Sequence, residues 1–185
     1  MDIQLVTTGE WQQDMWRRAE PVYREAFPHG AKPEGILKQM LDRGIGSLHL
    51  LVLGKDTLGI AVTGLAAGGT DRLLIIDYLA VRTDLRGQGI GRRFLNMIVK
   101  WAVREHRVSG ILIEVEAGDT PEHEERFHFW EKCGFIRTSY VHPYIWVPEP
   151  YSAMLLPLNP SLKITDDGRS LFRYIENFHK RSFRP

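Results

Sequence analysis

Cysteine is almost missing from this chain of 185 residues: Cys133 stands alone, so no intramolecular disulfide can form and no cysteine cluster can hold a metal. Long apolar runs are absent as well, and none approaches the roughly 20 residues that cross a bilayer. The opening residues Met1 to Val6 lack the basic segment, apolar region and cleavage site of a secretory leader. The expectation is a cytoplasmic protein with no membrane partner. Excess charge of one sign is missing too, with 24 Lys and Arg against 23 Asp and Glu and a formal charge of +1. The one basic cluster is Arg173, Lys180, Arg181 and Arg184 against Glu176. It carries no nucleic-acid recognition module and is too short for a membrane surface, so a solvated terminal helix accounts for it and no nucleic-acid partner is expected. Repeats, long linkers and low-complexity stretches do not occur. His123-Glu124-Glu125-Arg126-Phe127 has no second histidine at the zinc-binding position, and no metal is expected.

The hydrophobic fraction of 43% and charged fraction of 25% describe an ordinary soluble fold, and the length suits one domain. Strands are expected at Asp2 to Thr7, Ser47 to Leu53, Leu58 to Leu65, Leu73 to Val81, Ile111 to Glu116, Phe135 to Tyr140 and Tyr151 to Leu156. The first helix carries Trp11, Met15, Trp16, Ala19, Val22, Tyr23 and Phe27, with Thr7 and Glu10 as a capping box and Pro21 as a kink. A second spans Pro33 to Asp42. The loop Phe27 to Pro33 between them reads as one wall of a cleft. A third helix opens near Gly89 and reaches about His106, and its place between two apolar strands predicts a parallel βαβ unit. Thr120-Pro121-Glu122 starts a fourth, running to Cys133. Asp166 or Asp167 caps a fifth, reaching His179, with Leu171, Phe172, Ile175, Phe178 and His179 on or near one stripe. That stripe must cover either its own sheet or a second subunit, so monomer and homodimer both fit.

The most informative stretch is Leu79 to Leu95, where an apolar run gives way to Arg86-Gly87-Gln88-Gly89-Ile90-Gly91-Arg92 and then a basic amphipathic helix. A glycine-studded turn ahead of a helix leaves backbone N–H groups unpaired beside the positive end of the helix dipole, which is an anion cradle. The spacing differs from the Gly-x-Gly-x-x-Gly of dinucleotide sites and lacks the Gly-Lys-Ser/Thr ending of phosphate loops.

These residues resemble the GCN5-related N-acetyltransferase (GNAT) superfamily, whose signature of Arg or Gln, two residues, Gly, one residue, and Gly or Ala falls on Arg86, Gly89 and Gly91. Arg126 to Phe135 is similar to the family's later helix and the Gly-Phe entry to the next strand. The resemblance implies an α/β fold with a mixed central sheet of about seven strands flanked by helices. It also implies a splayed parallel strand pair at the acyl-coenzyme A site. The acyltransferase core would cover residues 1–158 and the basic helix of residues 159–185 would be an extension packed on the same domain or on a second subunit.

The implied activity is transfer of an acetyl or short acyl group from acetyl-coenzyme A (acyl-CoA), the cosubstrate, to a small-molecule or protein amine. Val81 and Arg86, Gly87, Gln88, Gly89, Ile90, Gly91 and Arg92 would bind the coenzyme, and a backbone N–H of Leu79 or Ala80 would stabilise the thioester oxyanion. An alkyl amine is mostly protonated at pH 7, so a base or a water chain must take its proton, and Asp77 and Glu116 are the first candidates for a base. Asp77 interrupts an apolar strand and shares a face with Leu79 if that strand is regular, while Glu114 and Glu116 share a face of the next. Many family members carry a tyrosine acid where this chain has Trp130. An indole cannot serve as that acid, so Trp130 would pack along the pantetheine arm and the thiolate would leave unprotonated or take a proton from water, His128 or Tyr140. Glu25, His29, Tyr144 and Trp146 would flank the acceptor. An acyl carrier protein as donor, attracted by the basic closing helix, and a catalytically weak acyl-CoA-binding regulatory module are the alternatives.

Overall fold

Seven strands form one mixed sheet: β1 (Ile3–Thr8), β2 (Gly46–Leu53), β3 (Asp56–Leu65), β4 (Leu73–Val81), β5 (Gly110–Glu116), β6 (Ile136–Pro143) and β7 (Pro150–Pro157), in the order β1-β2-β3-β4-β5-β7-β6. The computed structural model describes residues 2–184. Five helices, α1 (Gln13–Ala26), α2 (Glu34–Asp42), α3 (Ile90–His106), α4 (Pro121–Lys132) and α5 (Arg169–Phe183), cover both faces. Trp16, Leu37, Met40, Phe172, Ile175 and Phe178 of α1, α2 and α5 build one core with Leu50, Ile60, Ile75 and Leu112 of the sheet. Phe94, Leu95 and Ile98 of α3 and Phe127 of α4 build the other with Leu51, Ala61, Ile76 and Ile113. Alternate residues of each central strand therefore feed opposite cores, which explains why β2, β3 and β4 read as near-continuous apolar runs.

All β4 neighbours are antiparallel except β5, and that parallel pairing covers only Leu73 to Ile75 against Gly110 to Leu112. Beyond Ile75 the two strands part. The cause lies partly in β4 itself: Thr63 of β3 opposes Ile76 and Val62 opposes Tyr78, which leaves Asp77 as the extra residue of a β-bulge. A bulge bends its strand and re-aims side chains. Leu73, Ile75, Tyr78 and Ala80 consequently face one core, and Leu74, Ile76, Leu79 and Val81 the other. The strand is not regular, and Asp77 does not share a face with Leu79.

Two expected helix starts take different forms. Thr7 remains in β1 and bonds His49 Nδ1 at 2.8 Å, while Thr8 Oγ1 receives the Glu10 N–H, so α1 begins at Gln13 without a side-chain cap. The N-cap of α5 is Gly168, at φ 108°, but the Asp166 carboxylate still receives the N–H groups of Gly168 and Ser170 at 2.8 and 2.9 Å. The Thr120 cap and Pro121 start of α4 form as expected, with Thr120 Oγ1 receiving the His123 N–H. The stripe of α5 is buried in the chain's own core: Phe178 packs against Gly64 of β3, where a Cβ would collide with its ring and with the Ile45 carbonyl. Asn177 Nδ2 donates to the Ala67 carbonyl at 3.1 Å and Arg181 to the Leu65 carbonyl at 2.8 Å, fixing the helix in register.

His49 on β2 is fully buried between Thr7 and Thr63, with Trp101 of α3 edge-on at 4.6 Å. Burial, with a smaller contribution from His106, lowers its pKa to about 3, so the folded chain holds it neutral. The unfolded chain takes up that proton near pH 6.5, so stability conferred above that pH is lost as pH falls toward 3, at about 1.4 kcal/mol per pH unit. Urea unfolding between pH 7 and 4 should show this slope, and His49→Gln should flatten it.

Candidate functional site

The 3₁₀ turn Thr83–Leu85 and the glycine turn behind it separate β4 from α3. Gly87 and Gly89 take φ values of 76° and 77°, a left-handed geometry that side chains disfavour, and a Cβ at either would point into open space. Among the described residues, the backbone N–H groups of residues 87–92 make no hydrogen bond of good geometry, and the first bond into α3 is Arg93 N–H to the Gly89 carbonyl at 3.1 Å. Arg92, Arg93 and Lys100 line an adjoining groove of about 490 Å³ with Gly89, Asn96 and Met97. Free N–H groups, a helix N-terminus and three cations together fit a diphosphate. Gly91 differs from them: a Cβ there would touch the Phe129 ring and Val81 at ordinary contact distances, so α3 packs against α4 at this point. The side chains of two neighbours turn inward, Arg86 Nε donating to the Val81 carbonyl at 3.4 Å and Gln88 Nε2 to the Asp84 carbonyl at 3.1 Å.

The same bend exposes a strand edge. Arg82 N–H donates to the Leu58 carbonyl, and the alternation of an antiparallel ladder then assigns the Ala80 N–H to β3. Leu79 N–H is turned to the opposite edge, facing β5, where pairing has already ended. Of the two expected oxyanion donors, the geometry therefore makes Leu79 available and engages Ala80. Trp130 of α4 is half-buried, edge-on to Phe135 at 5.0 Å and to Phe129 at 5.1 Å.

A chain of polar side chains crosses the gap on the α1/α2/α5 side. Lys32, in the loop between α1 and α2, places Nζ 2.8 and 2.7 Å from the two carboxylate oxygens of Asp77, and both side chains are only 4% exposed. Lys32 Nζ also lies 3.3 Å from Nδ1 of His179 on α5. His179 Nε2 in turn lies 2.6 Å from Glu114 Oε1 of β5, whose other oxygen receives the Tyr144 hydroxyl at 2.6 Å. Burial works against ionisation of Glu114, but the bonds from His179 and Tyr144 and the nearby Lys32 charge outweigh it and hold its carboxyl below the usual range. An ionised Glu114 only accepts, so His179 carries its proton on Nε2 and offers the Nδ1 lone pair to Lys32. Burial and the Glu114 charge together push the Tyr144 phenol well up, leaving it a donor.

The backbone of Lys32 is clamped as well. Its N–H donates to the Tyr78 hydroxyl at 3.0 Å and its carbonyl receives the Tyr23 hydroxyl at 3.0 Å. Burial, reinforced for both by Asp77, raises both phenols and keeps them neutral.

The other expected site residues are dispersed. Glu116 sits at the open end of β5 and pairs with Arg126 at 3.1 Å and His123 at 3.0 Å, both on α4, so it faces different partners from Glu114. Glu25 is exposed in a shallow groove with Arg17, Arg18, Lys55 and Arg82. His29 is exposed in the 27–33 loop. Trp146 is 76% exposed and stacks offset from Tyr144, with ring centroids 6.4 Å apart. Tyr140 bonds His142 at 3.1 Å, and His128 lies exposed 3.9 Å from Glu131. Lys32 and His179 were not among the expected site residues. The signal that points to them is Asp77 itself, a carboxylate inside an apolar strand that needs a buried cation.

Removing one partner of a buried ion pair leaves the other uncompensated and costs about 3–5 kcal/mol, whereas replacing both by apolar groups is often neutral. Asp77→Asn should therefore lower unfolding free energy by about 3 kcal/mol in urea titrations. The Lys32→Met, Asp77→Leu double variant should lose less than Asp77→Asn alone.

The model of the acetyltransferase (GNAT) domain family matches residues 43–137, which takes in β2 to the start of β6. No curated protein matches the chain in sequence. Among solved structures, a chimeric spermidine N-acetyltransferase from Vibrio cholerae superposes with a TM-score of 0.67 at 11% identity, over 84% of this chain and 96% of that one. An aminoglycoside acetyltransferase from an uncultured soil metagenomic sample gives 0.62 at 15% identity, over 78% and 96%. The ribosomal-protein-S18-alanine N-acetyltransferase of Escherichia coli gives 0.58 at 17% identity, over 87% and 100%. With the sheet order, the parted strand pair and the free N–H cradle, the match over residues 43–137 establishes that the chain belongs to the GNAT acetyltransferase superfamily.

Proposed function

We propose that the chain is a cytoplasmic N-acyltransferase that moves an acetyl or other short acyl group from acyl-coenzyme A to an amine. One observation carries this reading: a cradle of N–H groups left without good hydrogen bonds at the head of α3 follows the bare β4 edge at Leu79. The structural neighbours are by name acetyltransferases with different acceptors, a polyamine, an aminoglycoside and a ribosomal-protein alanine, so they leave the acceptor of this chain open.

When bound, acyl-coenzyme A supplies an acyl carbon already activated as a thioester. Residues 87–92 hold its pyrophosphate through backbone N–H groups, and Arg92, Arg93 and Lys100 add positive charge along the groove. Leu79 N–H, fixed before reaction, stabilises negative charge on the acyl oxygen. Trp130 forms an apolar wall and donates no proton. The acceptor approaches past Tyr144 and Trp146. Of the two expected bases, Asp77 is buried and locked to Lys32, while Glu116 is part-exposed at the open end of the gap, paired with exposed Arg126 and with His123. Glu116 is the base for an external amine.

Gly89→Trp places an indole over the cradle in a backbone geometry hostile to side chains, and should weaken acetyl-coenzyme A binding at least tenfold by calorimetric titration. Glu116→Gln should leave that affinity unchanged and lower kcat about 100-fold, the lower end for loss of a positioned base. The assay is release of coenzyme A thiol across a panel of polyamine, aminoglycoside, amino-acid and peptide amines. Wild-type affinity in the Gly89→Trp chain contradicts the cradle, and full activity in Glu116→Gln contradicts the base.

A further inference from the structure

Lys32 is the buried lysine of this chain; Lys38, Lys55, Lys100, Lys132, Lys163 and Lys180 are all exposed. Its stem is wrapped by aromatics, with Nζ 5.3 Å from the Tyr78 ring centre, 5.7 Å from Phe178 and 5.6 Å from Phe183. The Tyr23 and Tyr78 hydroxyls fix its backbone, and Asp77 and His179 hold Nζ. A structural ion pair would be complete with Asp77. Here a second arm is added: an imidazole whose lone pair faces the same nitrogen at 3.3 Å, with its far side anchored on a buried carboxylate at 2.6 Å.

Amine, imidazole and carboxylate in series is the arrangement of an activated nucleophile, in which a base takes the proton and a third group orients the base and steadies its charge. Asp77 belongs to β4 and Glu114 to β5, so the amine held on Asp77 and joined through His179 to Glu114 bridges the two strands beyond the point where their pairing ends, and β4 carries the Leu79 N–H on that parted edge. We infer that Lys32 is an internal acceptor, acetylated on Nζ by the chain's own acyl-coenzyme A. The inference rests on the proposed function for the donor and on Lys32, His179 and Glu114 for the reaction.

The Lys32 ammonium first yields a proton to His179 Nδ1, while the Nε2 proton stays on its bond to Glu114. The imidazole is 24% exposed and releases that proton to solvent. The Nζ lone pair then forms the C–N bond to the acyl carbon as the C–S bond breaks. The second proton leaves nitrogen through the same imidazole and ends on the coenzyme A sulfur as thiol. The products are an amide at Lys32, coenzyme A and one proton. Conversion of the ammonium to an amide leaves Asp77 without its cation, so the modified chain is less stable and its acceptor side more acidic.

The test incubates the full chain with acetyl-coenzyme A and no added amine, followed by peptide mapping, intact mass and thermal melting. Acetyl-coenzyme A affinity is titrated on the same samples, and a heat-denatured control reports chemical acetylation of the exposed lysines. The expected result is close to one acetyl group per chain on Lys32, above the denatured control, with a lowered melting temperature. Lys32→Arg should keep the affinity and lose the adduct. His179→Asn should keep the affinity and slow the adduct at least tenfold. A chain that binds acetyl-coenzyme A yet leaves Lys32 unmodified overturns the inference alone, as does equal acetylation in the His179→Asn chain. A chain that does not bind acetyl-coenzyme A overturns the proposed function and this inference together.

Discussion

The β-bulge at Asp77 governs the arrangement around the gap. If β4 alternated regularly through Asp77, Tyr78 to Val81 would each face the opposite core. With the bulge, the strand bends where its pairing to β5 stops and Leu79 presents its N–H to an unpaired edge, while Asp77 keeps the α1/α2/α5 face of Leu73 and Ile75. A carboxylate there cannot stand alone away from water. Lys32 answers it, and the loop between α1 and α2 is held against β4 by that ion pair and by the Tyr78 hydroxyl. The cradle at the head of α3 depends on the same geometry, since the strand must end near the gap for the turn behind it to face the gap's mouth.

The closing helix belongs to this arrangement more than its position in the chain implies. Phe178 fills the space over Gly64, and one residue later His179 reaches Glu114 and Lys32. The Leu65 carbonyl receives Arg181, and Arg43 beyond α2 donates to carbonyls near the end of α5. The segment from residue 159 onward therefore supplies one of the four side chains that bridge β4 to β5.

Much of this was legible in the residues because the signals were local. The apolar run Leu73 to Val81 has the bounds of β4, and the glycine spacing at residues 87–91 marks the turn. Thr120-Pro121 marks the start of α4. The capping box at Thr7 failed because a tertiary partner, buried His49, competed for the threonine. The bulge was invisible to a strict alternation, since one inserted residue leaves the composition of an apolar strand unchanged, and this broke the expected alignment of Asp77 with Leu79. Lys32 and His179 lie 147 residues apart, in a proline-bounded loop and a terminal helix, and no local pattern joins them. Asp77 alone announced that a buried cation had to come from somewhere.

The central claim is that the parted edges of β4 and β5 take an acyl thioester whose phosphates sit at the head of α3. A crystal structure with acetyl-coenzyme A tests it most directly. The account predicts pyrophosphate oxygens on the N–H groups of residues 87–92 and the acyl oxygen within hydrogen-bonding distance of Leu79 N–H. Phosphates bound elsewhere, or an acyl oxygen turned away from β4, would contradict it.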